Sequence, residues 1–189
     1  IYAKDKGIFD ININLSQGML NLIVGKNGSG KSTLLKCIMK LVKYQGEIEK
    51  KNYRIGYAPE IFLMPESQTV EEFLLSIGRI KGLGNLVIRE NSVDFFEMFN
   101  IEKYRYKTIR TLSNGTKQKV NLIQALIHNP KIILLDEPLT GLDFDSQKKL
   151  LKYLASLAKE RLIIISSHYP EKFRTRNKQI YQIVNGKIE

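Results

Sequence analysis

The chain has no tryptophan, a single cysteine and only two histidines among its 189 residues. One thiol, Cys37, cannot build an internal disulfide framework, and so few Cys and His residues leave no ligand set at structural-zinc spacing. A reducing, cytoplasmic setting is expected. Long apolar runs are also missing: residues 132–135 and 162–165 are among the longest, far below the ~20 residues of a membrane-spanning helix. The first seven residues lack the apolar core and cleavage site of a secretion signal, and because the chain opens on Ile1 rather than methionine, native residues are expected upstream. Acidic residues are scarce, nineteen against thirty Lys and Arg, which leaves a formal net charge of +11. With 43% hydrophobic and 26% charged residues, the balance still excludes a disordered tail and fits one packed domain.

What is present has the rhythm of an α/β domain. An apolar strand at 20–24 leads into a glycine-rich loop at 25–30. An amphipathic helix follows at 32–42, with Leu34, Leu35, Ile38, Leu41 and Val42 on one stripe and Cys37 and Met39 as core filler. Short strands are expected at 46–49 and 55–58, and the fold is expected to carry a small antiparallel sheet near the N-terminus. From 61 the character turns helical: Thr69 and Glu72 form a capping box, a second helix starts at Asn91 or Ser92 and runs to Phe99, and three glycines mark a loop over 78–85. After Ser113 a helix carries Val120, Ile123, Leu126 and Ile127 on one face and stops at Asn129-Pro130. Then come a strand at 132–135, a helix at 145–159 with Lys148, Lys149, Lys152 and Lys159 on its solvated face, and a strand at 162–165. A hairpin closes the chain around Asn185-Gly186. His128, at the end of a helix, reads as a partner for the helix dipole.

Three segments carry chemistry. Residues 25–32, Gly25-Lys26-Asn27-Gly28-Ser29-Gly30-Lys31-Ser32, fit G-x-x-x-x-G-K-[ST] between a strand and a helix. In such a loop the glycines let successive N–H groups face phosphate oxygens, Lys31 reaches the β and γ phosphates, and Ser32 holds magnesium. Residues 131–138 form an apolar strand ending in Asp136 and Glu137, one carboxylate placed for magnesium and the other for the attacking water. His168 follows the strand at 162–165 and is the histidine positioned for catalysis.

Together these residues resemble the ATP-binding cassette (ABC) family. Leu112-Ser113-Asn114-Gly115-Thr116 looks like that family's LSGGQ signature, with Asn114 and Thr116 departing from the usual Gly and Gln. Residues 57–60 resemble its Q-loop, residues 140–143 its D-loop with Asp143, and residues 166–168 its H-loop; Tyr2 stands where the family stacks adenine, and Thr33 continues the phosphate loop. Glu60 replaces the usual Q-loop Gln, a form similar to the exporter-type branch. The resemblance implies a P-loop NTPase core over 1–60 and 112–189 and a helical subdomain over 61–111. It implies ATP with Mg2+, the metal held by Ser32, Asp136 and Glu60, and a homodimer or heterodimer in which Ser113, Asn114 and Gly115 of one subunit face the other's nucleotide. A separate transmembrane permease, engaged peripherally at the inner face of the cell membrane, would be the partner. The alternative is a soluble cassette acting on nucleic acid or the ribosome, which the positive charge invites; the basic residues are scattered rather than clustered with aromatics, so nucleic acid is not expected.

Overall fold

The computed structural model describes residues 7–189. In chain order it contains β1 (Leu20–Val24), α1 (Lys31–Ile38), β2 (Ile55–Ala58), α2 (Val70–Ile80), α3 (Asn85–Phe99) and α4 (Asn114–Leu126). These are followed by β3 (Ile132–Asp136), α5 (Phe144–Leu157), β4 (Leu162–Ser167), β5 (Lys178–Val184) and β6 (Lys187–Ile188). The sheet order is β2-β3-β4-β1-β5-β6; every pairing is parallel except the closing β5–β6 hairpin.

The register of this sheet builds the site. Val24 lies opposite Ser167, and Asp136 lies opposite Ser166, so the carboxyl ends of β1, β4 and β3 finish flush. The segments that leave those ends begin at Gly25, His168 and Glu137, which is where open parallel sheets hold ligands. Side chains of the central strands alternate between two buried layers. Leu20, Leu22, Ile133, Leu135, Ile163 and Ile165 pack with α2, α3, α4 and α5, whereas Ile23, Ile132, Leu134 and Ile164 pack with Leu34, Leu35 and Ile38 of α1.

Several expectations are corrected. Residues 46–49 form no strand, and β2 joins the parallel sheet as its edge. A parallel partner was invisible in the local pattern because it lies far along the chain. Helix α1 stops at Ile38, where Lys40 takes a left-handed conformation and leaves Leu41 exposed. Helix α3 begins at Asn85, six residues before Asn91, and Gly78 belongs to α2, where a Cβ would lie 2.5 Å from Ile88 of α3. That glycine serves close helix packing rather than a loop. The capping box is formed, with Glu72 N donating to Thr69 Oγ1 at 3.2 Å and Thr69 N to Glu72 Oε2 at 2.8 Å. In the hairpin turn Asn185 and Gly186 both have positive φ, as a tight Asn-Gly turn requires. No helix among the described residues is long and apolar enough to cross a membrane.

Candidate functional site

The loop from Gly25 to Gly30 wraps the amino end of α1, and Gly28 and Gly30 have φ of 77° and 111°, which L side chains rarely adopt. Lys31, the first residue of α1, folds back into it: its Nζ donates to the carbonyls of Gly25 at 2.9 Å and Lys26 at 3.2 Å. A cavity of about 140 Å³ opens beside this ammonium, lined by Asn27, Gly28, Gly30, Lys31, Ser32, Thr33, Glu60, Glu137 and His168. Ser29 is buried in the loop with an unpartnered hydroxyl.

Across the cavity Glu137 leaves the end of β3 with φ of 48°, an unusual conformation for a residue with a side chain. Two bonds hold it: its N–H donates to the Ser166 hydroxyl at 3.0 Å and to the Ser166 carbonyl at 3.2 Å. The same Ser166 hydroxyl donates to Asp136 Oδ1, so one fully buried serine fixes both acidic residues. Glu137 is 5% exposed, and burial pushes its carboxyl above the usual carboxylate range, against the pull of His168 and Lys31. The Lys31 ammonium is likewise held below its ordinary value by burial, opposed by Glu137, Asp136 and Glu60. A carboxylate made more basic in this way is suited to take a proton.

His168 completes the group. Its backbone N–H donates to Glu137 Oε2 at 3.3 Å, and its ring Nε2 lies 3.1 Å from Glu137 Oε1 and 3.2 Å from Lys31 Nζ. A neutral ring cannot satisfy both side-chain neighbours through Nε2, because Lys31 only donates and the carboxylate only accepts. Glu137 Oε1 has no aligned hydrogen bond, although it lies 3.1 Å from His168 Nε2 and 3.8 Å from Lys31 Nζ. A buried orphan oxygen facing a cavity with a lysine and a histidine is an arrangement open to a reacting water and a polyanion. Ser32 and Glu60 border the cavity, and Asp136 lies at the adjoining strand end. Their hard oxygens, completed by phosphate oxygens, fit Mg2+.

The expected signature residues lie elsewhere on this chain. Ser113 caps α4, accepting from Thr116 N at 3.2 Å, and Asn114 is the first helical residue. With Gly115, Thr116, Gly141 and Asp143, Ser113 borders a second hollow of about 360 Å³ that shares no residue with the first. Gly115 is needed there, since a Cβ would sit 2.7 Å from the Gly141 carbonyl. Asp143 caps α5 through Ser146 N at 2.8 Å, and the Lys119 ammonium at 2.6 Å holds its carboxyl far below the ordinary range. Tyr2 lies outside the described residues. His128 differs from expectation: it is 2% exposed, and its Nε2 donates to the Ile55 carbonyl at 3.1 Å. Sequence reasoning also missed the structural roles of Ser166, Asn121 and Gln124. The hint was polar residues in otherwise apolar stretches, at 166 in a strand and at 121 and 124 beside a hydrophobic stripe.

A phosphate loop, an acidic strand end and a histidine gathered on the carboxyl edge of a parallel sheet define a P-loop nucleotide hydrolase. Residues 8–140 match the family described as ABC transporter. The chain is 32% identical over 189 residues to an uncharacterised ABC transporter ATP-binding protein of Methanocaldococcus jannaschii, covering 98% of this chain and 72% of that one. It spans from 55 to 80% of the length of four such relatives. A structure of an ATP-binding subunit of an ABC transporter superposes with a TM-score of 0.89 at 25% identity, covering all of this chain and 83% of the other. A dimeric ATP-binding cassette in a post-hydrolysis state with ADP and Pi superposes with a TM-score of 0.82 at 25% identity, covering 96% and 88%. The chain belongs to the ABC transporter family as an ATP-binding cassette, and its activity is ATP hydrolysis.

Proposed function

We propose that this cassette energises a separate membrane permease, in the export direction, and works as a dimer held peripherally at the cytoplasmic face of the cell membrane. The observation that carries the reading is the convergence of Lys31, Glu137 and His168 on one cavity at the ends of three parallel strands. In this reading residues 1–60 and 112–189 are the catalytic core and 61–111 a helical subdomain. Residues 25–33 cradle the ATP phosphates, Lys31 neutralises the β and γ oxygens, and Tyr2 stacks on adenine. Ser32, Asp136 and Glu60 would hold Mg2+, which supplies charge neutralisation at the transferred phosphoryl group. Glu137 takes the proton of the water whose oxygen attacks the γ-phosphorus, as the bond from that phosphorus to the β–γ bridging oxygen breaks. His168 orients Glu137 and donates toward the γ oxygens.

The separation of the two hollows supports a composite site, because Ser113, Asn114 and Gly115 are not among the residues bordering their own chain's cavity. A second cassette would bring them to the γ-phosphate, with Asp143 ordering the adjoining loop. Export is supported by Glu60 in place of Gln. The test is ATP hydrolysis by the cassette reconstituted in vesicles with the product of any neighbouring reading frame that encodes a multi-span membrane protein. Stimulation by that protein and its cargo, with none by DNA or RNA, is the expected result; stimulation by nucleic acid alone would overturn the transport reading.

A further inference from the structure

Among the described residues strand β2 is the edge of the sheet and pairs only with β3, so the carbonyls on its other side need partners from outside the sheet. Helix α4 and the turn that ends it supply them. Asn121 Nδ2 donates to the Pro59 carbonyl at 2.8 Å, Gln124 Nε2 to the Tyr57 carbonyl at 2.8 Å, and His128 Nε2 to the Ile55 carbonyl at 3.1 Å. These donors are spaced three and four apart, one stripe of a helix, with steps of about 4.5 and 6 Å. The acceptors are two apart on an extended chain, steps of about 6.6 Å, read in the opposite direction. The two spacings are close enough for one helix face to serve as the missing neighbour strand.

A separate observation shows how tightly the pair is set. A Cβ on Gly56 would fall 1.9 Å from the Ala125 carbonyl, so helix and strand meet backbone to backbone. The stripe also continues toward the amino end of α4. Gln124 Nε2 donates to Asn121 Oδ1 at 3.2 Å, Asn121 Nδ2 to Gln118 Oε1 at 3.3 Å, and Gln118 Nε2 reaches the Pro138 carbonyl at 3.5 Å, the longest of the series. Asn121 and Gln124 are 2% and 6% exposed, so neither amide has bulk water as an alternative partner.

We infer that Asn121 and Gln124 are positioning residues that bind the signature helix to the strand feeding Glu60, so that Glu60 and the start of α4 move as one body during ATP hydrolysis. The strand delivers its last fixed carbonyl at Pro59, one residue before Glu60, and the other end of the ladder reaches the residue after Glu137. This rests on the assignment of Glu60 and Glu137 above, and it adds residues that touch neither nucleotide nor metal.

The test is a double-mutant cycle between Gln124→Met, which keeps side-chain length without the donor, and Glu60→Ala, which removes the side-chain oxygens altogether. Gln124→Met should lower kcat roughly tenfold with the KM for ATP within about twofold, and should cost less than about threefold in the Glu60→Ala background. Amide exchange should rise over residues 57–62 and stay unchanged over β3. Additive losses, or exchange raised evenly across the sheet, would mark a merely structural contact and overturn the proposal. If Gln124→Met does not fold, Asn121→Ala removes the donor to Pro59 and takes its place. Should Glu60→Ala match the parent, the Glu60 assignment fails by itself, and local exchange at 57–62 then decides the ladder: a rise confined there supports it, an even rise refutes it.

Discussion

Replacing Ser166 with alanine would act on both acidic residues at once. Its hydroxyl donates to Asp136 Oδ1 and accepts from Glu137 N at 3.0 Å, while Ser166 and Asp136 are 0% and 2% exposed. Alanine leaves no void but removes a donor to a buried carboxyl, worth about 1.5–3 kcal/mol for a bond to a charged group. The Glu137 N–H keeps the Ser166 carbonyl at 3.2 Å, so little is lost on that side. A total of about 2 kcal/mol follows, which at a urea slope of about 2 kcal/mol per molar lowers the midpoint by roughly 1 M. Freed from its donor, the Asp136 carboxylate loses its fixed orientation, and supporting partners of this kind typically contribute about 10–100-fold to metal affinity or activity. The assays are urea unfolding and ATPase activity against Mg2+ concentration. Ser167→Ala is the control: among the described residues that hydroxyl accepts only from Tyr169 N at 3.0 Å, and its loss should leave the Mg2+ dependence unchanged. An Ser166→Ala protein with a midpoint within about 0.2 M of the parent and the same Mg2+ requirement would refute the reasoning.

Two further predictions concern assembly and pH. Lys31→Ala and Ser113→Arg variants, each inactive alone, should recover up to about a quarter of parental activity when mixed. Half of freely exchanging dimers are then mixed and each holds one intact site; a mixture that dimerises with ATP yet stays inactive would count against independent composite sites. His128 is buried, and its imidazole is held below the ordinary 6.5 chiefly by desolvation, with Lys81 and Arg54 adding to the effect and the Ile55 carbonyl opposing it. The unfolded chain therefore binds the proton first, so this stabilising term is full above pH 6.5 and lost as the pH falls below it. Thermal melts from pH 7.5 to 5.5 should show a smaller decline for His128→Gln than for the parent, and parallel declines would remove His128 from the account.

Much of the site was legible because its residues are consecutive. The loop at 25–32, the pair Asp136-Glu137 and the closing Asn-Gly turn are short local patterns whose geometry follows from residue type. What brings them together, the flush ends of β1, β4 and β3, depends on parallel register between partners 143 residues apart (Val24 and Ser167) and 30 residues apart (Asp136 and Ser166), and leaves no local trace. The same holds for β2, whose four residues look like one arm of a hairpin until their partner β3 is known. Ser166, Asn121 and Gln124 were hidden differently, since a polar residue in an apolar segment shows that a partner must exist without saying which. Helix ends failed where a backbone turn rather than a side chain decided them, as at Lys40.

The central claim is that Glu137 is the base of an ATP-hydrolysing site. Steady-state phosphate release by Glu137→Gln, measured beside nucleotide binding, tests it most directly. Retained ATP binding with kcat lowered by ~10² to 10⁴, the usual contribution of a positioned base, is the expected result. Turnover within about twofold of the parent would contradict it, because loss of a base must appear in kcat.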